Sequence, residues 1–161
     1  MSARNRGDLM HHLAYEIWML NRTGDLVHNR YMLDVTNFGY AVEDLVAIES
    51  FVVHARVLIE FFHDRKKRNY VRAADFVTPW KHALTAELKE ARSRANTDAV
   101  HFGPGRVRAD NWRWHTEPVL TDLNKAVIKL LQQMKPDDSV RLRKELTRDG
   151  LDPSALRTTP R

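Results

Sequence analysis

The chain has 161 residues, of which 43% are hydrophobic and 29% charged, and both values are ordinary for one globular domain. It contains no cysteine, which excludes disulfides, thiolate zinc sites and cysteine nucleophiles. The net charge of +5 permits a polyanionic partner without requiring one. Neither a signal peptide nor a run of roughly 18 apolar residues that would span a bilayer is found, so we expect a cytoplasmic protein without a membrane partner.

The first predicted helix runs from Asp8 to Asn21, where apolar side chains recur at helical spacing. The segment Thr23-Gly24-Asp25 is predicted to end it, because threonine and glycine there are typical of a helix boundary. Residues 26–37 fit either a short helix or an extended packed loop, and both alternatives stay open.

A long second helix is predicted from Tyr40 to Phe62, and it is apolar on nearly all sides. A helix that faces water has a polar face, whereas a helix that is apolar all round is surrounded by protein. His54 and Arg56 lie in its middle, and buried basic groups must be paired or must line a cleft where they are used.

These two basic residues of the second helix face different neighbours. At about 100° per residue, the side chains of His54 and Arg56 point about 160° apart. One interpretation is structural: Arg56 pairs with Glu49 or Glu60, and His54 is a hydrogen-bonded core histidine. The other is that both residues support a site on an adjacent helix.

The third and fourth helices are predicted from start signals and apolar periodicity. Thr78-Pro79 predicts a helix start, and the apolar seam at 80, 84, 88, 91, 95, 99 and 102 continues to Phe102, before Gly103-Pro104-Gly105. Thr116 is predicted to cap the next helix. The seam of that helix is formed by Leu120, Leu123, Val127, Leu130 and Met134.

The rest of the chain is predicted to add little to the fold. Lys135-Pro136-Asp137-Asp138 breaks the fourth helix, and a short helix follows from Ser139 to about Arg148. Residues 1–149 are predicted to form a single helical domain and residues 150–161 a disordered tail. The predicted fold class is all-α: a four-helix bundle with a short extra C-terminal helix.

The end of the third predicted helix carries the strongest candidate for chemistry. His101 lies in the last turn, where the helix dipole favours its protonated form. Arg106 follows a stiff Gly-Pro-Gly turn, and Asn96 lies on the other flank of the seam. A histidine beside an arginine suits acid–base work on a phosphodiester, because one moves protons and the other holds charged oxygens. The alternative is that His101 only caps helix carbonyls.

The same residues resemble a group of small, poorly characterised bacterial helical proteins. Their pattern is HAR-x-LI-x-FF, then DF-x3-W, then Asn-Lys-x-x-Ala-His-Leu and a later arginine. The counterparts in this chain are His54-Ala55-Arg56, Asp75-Phe76 with Trp80, Asn96, His101 and Arg106. The resemblance covers roughly residues 36–115, and Thr97, Val100 and Phe102 depart from it.

More distantly, the chain is similar to the HEPN superfamily of helical bundles, many of which are metal-independent ribonucleases of toxin or defence systems. Their motif is an arginine and a histidine separated by about four to six residues. Arg56–His63 and Arg94–His101 have this spacing within one predicted helix, and the second overlaps the pattern above. The resemblance implies RNA as substrate, Arg94 as a phosphate contact, a homodimer and no cofactor.

A basic, aromatic segment follows the candidate site. Arg108, Trp112 and Trp114 are candidates for a stacking and phosphate surface that binds single-stranded RNA. The alternative is that the tryptophans cover the end of the bundle. His12 and Glu16 stand one helical turn apart, but no second such pair supports a metal site, and none is predicted.

Two classes of function therefore stay open. The first is an HEPN-like ribonuclease with His101, Arg106, Arg94 and Asn96 as catalytic residues and His54 and Arg56 as support. The second is a non-enzymatic binding or regulatory module in which the same polar groups form a structural network. An RNA-binding module without chemistry is a third reading.

Overall fold

The regular elements of the protein are helical throughout the part of the chain that the computed structural model describes, residues 3–33, 42–63, 70–96 and 116–159. The helices are α1 (Ala3–Leu33), α2 (Val42–His63), α3 (Ala86–Arg94), α4 (Thr116–Gln133) and α5 (Pro136–Arg148). Short 3₁₀ turns occur at Ala73–Asp75 and Pro153–Ala155. These ranges contain no strand, so the predicted all-α class is confirmed.

Helix α1 continues through the segment that was predicted to end it. Thr23 Oγ1 donates a hydrogen bond to the Met19 carbonyl, 2.6 Å away within the helix. A Cβ atom placed on Gly24 would lie 3.2 Å from side-chain atoms of both Leu120 and Phe51. The glycine thus allows α2 and α4 to approach α1 closely, and the prediction of a helix end here is wrong. Residues 26–33 are helical, and residues 34–37 lie outside the described residues.

A buried amide pair joins α1 to α4 within the apolar core. Asn21 Nδ2 donates to Asn124 Oδ1 at 3.0 Å, and Asn124 Nδ2 donates back to Asn21 Oδ1 at 2.9 Å. Asn21 Nδ2 also donates to the Ile17 carbonyl at 2.9 Å. Because buried polar groups are costly without partners, this reciprocal pair fixes the register of α1 against α4.

Helix α2 forms within two residues of its predicted ends and supplies much of the core. Its fully buried side chains include Phe51, Leu58 and Ile59. Not every side is covered by the described residues, since Val53 is 49% exposed and Val57 is 41% exposed. The prediction that protein surrounds α2 on all sides is therefore wrong for this part of the chain.

Helix α3 begins later than predicted. Thr85, not Thr78, is its N-cap, and Thr85 Oγ1 accepts a hydrogen bond from the Leu88 amide at 3.3 Å. Thr78 Oγ1 donates instead to the Ala74 carbonyl at 3.0 Å, and the Thr78–Pro79 peptide is cis. The predicted seam is buried at positions 88, 91 and 95, while positions 99 and 102 lie outside the described residues.

The α4 seam is confirmed, because all five of its predicted positions are buried. Helix α5 begins at Pro136 rather than at Ser139, whose Oγ donates to the Leu131 carbonyl at 2.7 Å. Residues 150–159, predicted as part of a disordered tail, pack instead against the helices. Leu156 is only 6% exposed, and Arg157 forms ion pairs with Asp25 of α1 and Glu117 of α4. Burial of an apolar side chain together with these ion pairs accounts for the order.

Candidate functional site

Two histidines meet where α2 ends. His63 is the last residue of α2, and His82 lies in the non-helical segment that leads to α3. Their ring centroids are 5.4 Å apart. Arg92 of α3 and Lys129 of α4 lie close enough to influence the charge of these rings. Residues from three helices and one connecting segment therefore converge at this point.

The position of His82 depends on Trp80. The Trp80 indole Nε1 donates a hydrogen bond to the Phe62 carbonyl at 2.9 Å, and the rings of Trp80 and Phe62 stack with centroids 5.7 Å apart. Carbonyls in the last turn of a helix lack a partner within the helix, so the indole satisfies one of them. The His82 ring also stacks on Trp80, with centroids 6.1 Å apart and an angle of 12° between the two ring planes.

A second contact holds the same segment from α4. Lys129 Nζ donates a hydrogen bond to the carbonyl of Lys81, the residue before His82. The segment is thus attached to the end of α2 through an indole and to α4 through an ammonium group. Because both contacts are made by the two residues just before His82, the imidazole is held beside His63 by its own neighbours in sequence.

The surroundings disfavour the charged form of both imidazoles. Burial lowers the pKa of His63 from 6.5 to about 4, and the positive charges of His82 and Arg92 add to this effect. Burial also lowers the pKa of His82, aided by Lys129, while Asp122 opposes the change. His63 is therefore neutral at pH 7.

One ring nitrogen of each of these histidines is enclosed by protein. His63 Nε2 and His82 Nδ1 are buried and have no hydrogen-bond partner among the described residues. Buried polar atoms are bonded in the great majority of cases, and exceptions in native proteins often have a functional cause. A neutral imidazole nitrogen accepts or donates a proton, so the pair has the groups that acid–base catalysis requires.

Of the predicted site residues around the end of α3, the structure describes Arg94, the last residue of the helix, and Asn96, two residues beyond it. Both side chains are half-buried. Asn96 follows Arg92 by about one helical turn, and this spacing puts the two on one face. The other predicted residues lie outside the described residues: His101, Arg106, Arg108, Trp112 and Trp114. The convergence on His101 therefore stays a prediction.

The two basic residues within α2 have structural partners. His54 Nδ1 lies 2.7 Å from Glu16 Oε2 of α1, and the Tyr15 ring packs edge-on against the imidazole with centroids 5.7 Å apart. Arg56 Nε donates to Glu60 Oε1 at 3.3 Å. The interpretation of His54 as a hydrogen-bonded core histidine, and of Arg56 as paired with one of two nearby glutamates, is confirmed. A supporting role in catalysis stays a prediction for both.

Sequence reasoning missed His82 and singled out His63 only through its spacing from Arg56. His82 falls in a segment that was predicted to be helical, where its side chain would not stack on Trp80. The signal that was available is the Trp-x-His spacing after Thr78-Pro79, because alternate residues of an extended segment lie on one side.

Within the described ranges, no group of three or more His, Asp or Glu side chains is arranged to hold a metal ion. No helix in the same ranges is both long enough and apolar enough to cross a membrane. No protein-family model matches the chain, and searches of the curated proteins and of the solved structures give no significant match.

Proposed function

We propose that this chain is an HEPN-like bacterial protein that acts on RNA in the cytoplasm, as a metal-independent ribonuclease of the toxin or defence type. The observation that carries the proposal is the approach of His63 and His82 to 5.4 Å between ring centroids, beside Arg92 and Lys129. RNA cleavage without a metal needs one group that takes a proton, one that gives a proton and cations that hold the phosphate. These side chains supply all three.

The lowered pKa of His63 supports its role as the base, and His82 beside it is assigned as the acid by its position. His63, with its pKa lowered to about 4, is the neutral base that takes the proton from the ribose 2′-hydroxyl. The 2′-oxygen forms a bond to phosphorus, and the bond from phosphorus to the 5′-oxygen breaks. His82 gives a proton to the departing 5′-oxygen in those molecules whose imidazole is protonated, the form that burial and Lys129 disfavour. Arg92 and Lys129 stabilise the charge on the non-bridging oxygens, and the products are a 2′,3′-cyclic phosphate and a 5′-hydroxyl end.

The HEPN-like character of the fold belongs to the same proposal. Helix α1 packs on α2, α4 and α5, and α2 also packs on α4, which supports a four-helix bundle. Arg56 and His63 carry the arginine–histidine spacing within α2, two turns apart on one face. The histidine of this pair, His63, is also a member of the histidine cluster.

The other site residues predicted from the sequence are also given roles in the proposal. His101 is proposed as a further acid–base residue, with Arg106 and Arg94 as phosphate contacts and Asn96 as an orienting group. Arg108, Trp112 and Trp114 are proposed to bind the RNA strand. Because Asn96 follows Arg92 by only four residues, at the end of α3, both groups of residues are expected to act on one substrate.

Cleavage of total RNA in EDTA tests the proposal. We expect the wild-type protein to cleave, the variants His63→Gln and His82→Gln to lose at least about 100-fold in rate, and His12→Gln to retain it. Melting temperatures of all variants show whether each is folded. Absence of cleavage by the wild type at high protein concentration rejects the ribonuclease. Full activity of both variants, with loss only in His101→Ala, places the chemistry at His101 instead.

A homodimer is also proposed, and the exposed apolar side of α2 supports it. Val46 and Val53 are 58% and 49% exposed, and their spacing of seven residues aligns them on one side. Sedimentation measures the state directly. We expect a dimer for the wild type and a monomer for Val53→Glu, and a monomeric wild type contradicts the dimer.

The second candidate function is a non-enzymatic binding or regulatory module. The pairing of His54 with Glu16 and of Asn21 with Asn124 favours it, because these polar groups already serve packing. This reading predicts that Arg56→Ala and His101→Ala lower the melting temperature and that the wild type leaves RNA intact. Cleavage that depends on His63 excludes it.

A further inference from the structure

A cleft of about 410 Å³ opens between α1, α2 and the segment 70–76. Small-molecule sites in proteins have volumes of about 300–1,000 Å³. Most of the wall is apolar, with Leu13 from α1 and Val57 and Phe61 from α2. None of the residues that line the cleft belongs to the histidine cluster. The cleft is therefore separate from the histidine cluster.

Two carboxylates face this cleft, Glu16 from α1 and Glu60 from α2, and no lysine or arginine of the described residues lines it. Each carboxylate is bonded through one oxygen: Glu16 Oε2 to His54 at 2.7 Å and Glu60 Oε1 to Arg56 at 3.3 Å. No hydrogen bond from the described residues occupies the other oxygen. The two side chains are 24% and 19% exposed, so a ligand in the cleft can reach them.

Aromatic rings and the His12 imidazole also line the cleft. Phe61 and Phe76 lie side by side with ring centroids 6.1 Å apart, and both line the cleft together with Tyr70. The Arg6 guanidinium carbon is 5.9 Å from the Phe76 centroid, a distance at which a cation is attracted to the ring. Aromatic faces and carboxylates attract the same kind of group, a cation with an apolar body.

We propose that this cleft binds a small organic cation, an ammonium group attached to an aromatic or aliphatic body. The ammonium group lies between Glu16 and Glu60 and donates hydrogen bonds to their second oxygens. The apolar body packs against Leu13, Val57 and Phe61, which removes it from water. The inference is independent of RNA cleavage, and either proposal can fail without the other.

Binding of three indole compounds that differ in charge tests the inference. Tryptamine carries an ammonium group, tryptophol is neutral and indole-3-acetate is an anion. Isothermal titration of the full chain at pH 7.5 is expected to show tryptamine binding at least about tenfold more tightly than the other two, because charge-assisted hydrogen bonds exceed neutral ones. Equal affinity for all three, preference for the anion, or no saturable binding at millimolar concentration overturns the proposal.

Variants place the ligand within the molecule. Glu60→Gln is expected to weaken tryptamine binding by about tenfold, whereas Glu90→Gln, the same change at an exposed position of α3, leaves it unchanged. Val57→Trp fills the cleft from its rim and abolishes binding without loss of melting temperature. If Glu60→Gln does not fold, Val57→Trp decides alone. Wild-type affinity in Val57→Trp, or in a folded Glu60→Gln, overturns the site.

Discussion

Replacement of His63 by glutamine should change how the stability of the protein depends on pH. The folded state lowers the pKa of His63 from 6.5 to about 4, so the unfolded chain binds more protons between these values. The contribution of His63 to the free energy of unfolding is therefore fully present above pH 6.5 and is lost as the pH falls toward 4. A shift of this size corresponds to at most about 3 kcal/mol. Because the imidazole is only half-buried, solvent screening reduces this to about 1–2 kcal/mol.

Urea denaturation at pH 7.5 and pH 4.5 measures the effect. The free energy of unfolding of the wild type should fall between the two pH values by about 1–2 kcal/mol more than that of His63→Gln, since glutamine does not titrate. His12→Gln, which removes a histidine outside the cluster, serves as the control. An equal fall in wild type and His63→Gln would refute the argument from burial and neighbouring charge.

The remaining predictions concern packing and its link to the site. Asn124→Leu should lower the free energy of unfolding by about 1–3 kcal/mol, because Asn21 loses its buried partner. The double variant Asn21→Leu/Asn124→Leu should be destabilised by less than the sum of the two single changes. Additive effects in urea denaturation contradict the reciprocal pair. Trp80→Phe keeps a ring over Phe62 but loses the indole hydrogen bond, and it should cost about 1 kcal/mol and reduce RNA cleavage; unchanged values for both show that the bond does not position His82. Leu156→Ala should cost about 2–5 kcal/mol in thermal denaturation because this side chain is buried, and a loss below about 0.5 kcal/mol shows that residues 150–159 do not pack as described.

Periodicity predicted the helices whose boundaries and burial are set locally. The α4 seam places an apolar residue at each inward position, so burial follows directly from the sequence. The end of α1 was mispredicted for the opposite reason. From its neighbours in sequence, Gly24 is predicted to end the helix. In the structure its lack of a side chain makes room for Phe51 and Leu120, which are distant in sequence. Tertiary packing overrides the local preference at this position.

The start of α3 and the histidine cluster were missed together. Two threonines compete as caps, Thr78 and Thr85, and no local rule separates them. The choice depends on the bond from Trp80 to the end of α2, which holds the intervening segment out of a helix. The same bond brings His82 to His63. The prediction of a helix that starts at Thr78-Pro79 therefore also prevented the prediction of the histidine cluster.

The stacking of His82 on Trp80 gives the molecule a spectroscopic signal of its own. An imidazolium in contact with an indole quenches its fluorescence more strongly than a neutral imidazole does. With centroids 6.1 Å apart and nearly parallel rings, the emission of Trp80 will follow the protonation of His82. The difference between the wild type and Trp80→Phe isolates this emission from that of the other tryptophans. The protonation state of His82 can therefore be followed in solution by tryptophan fluorescence, without substrate and without turnover.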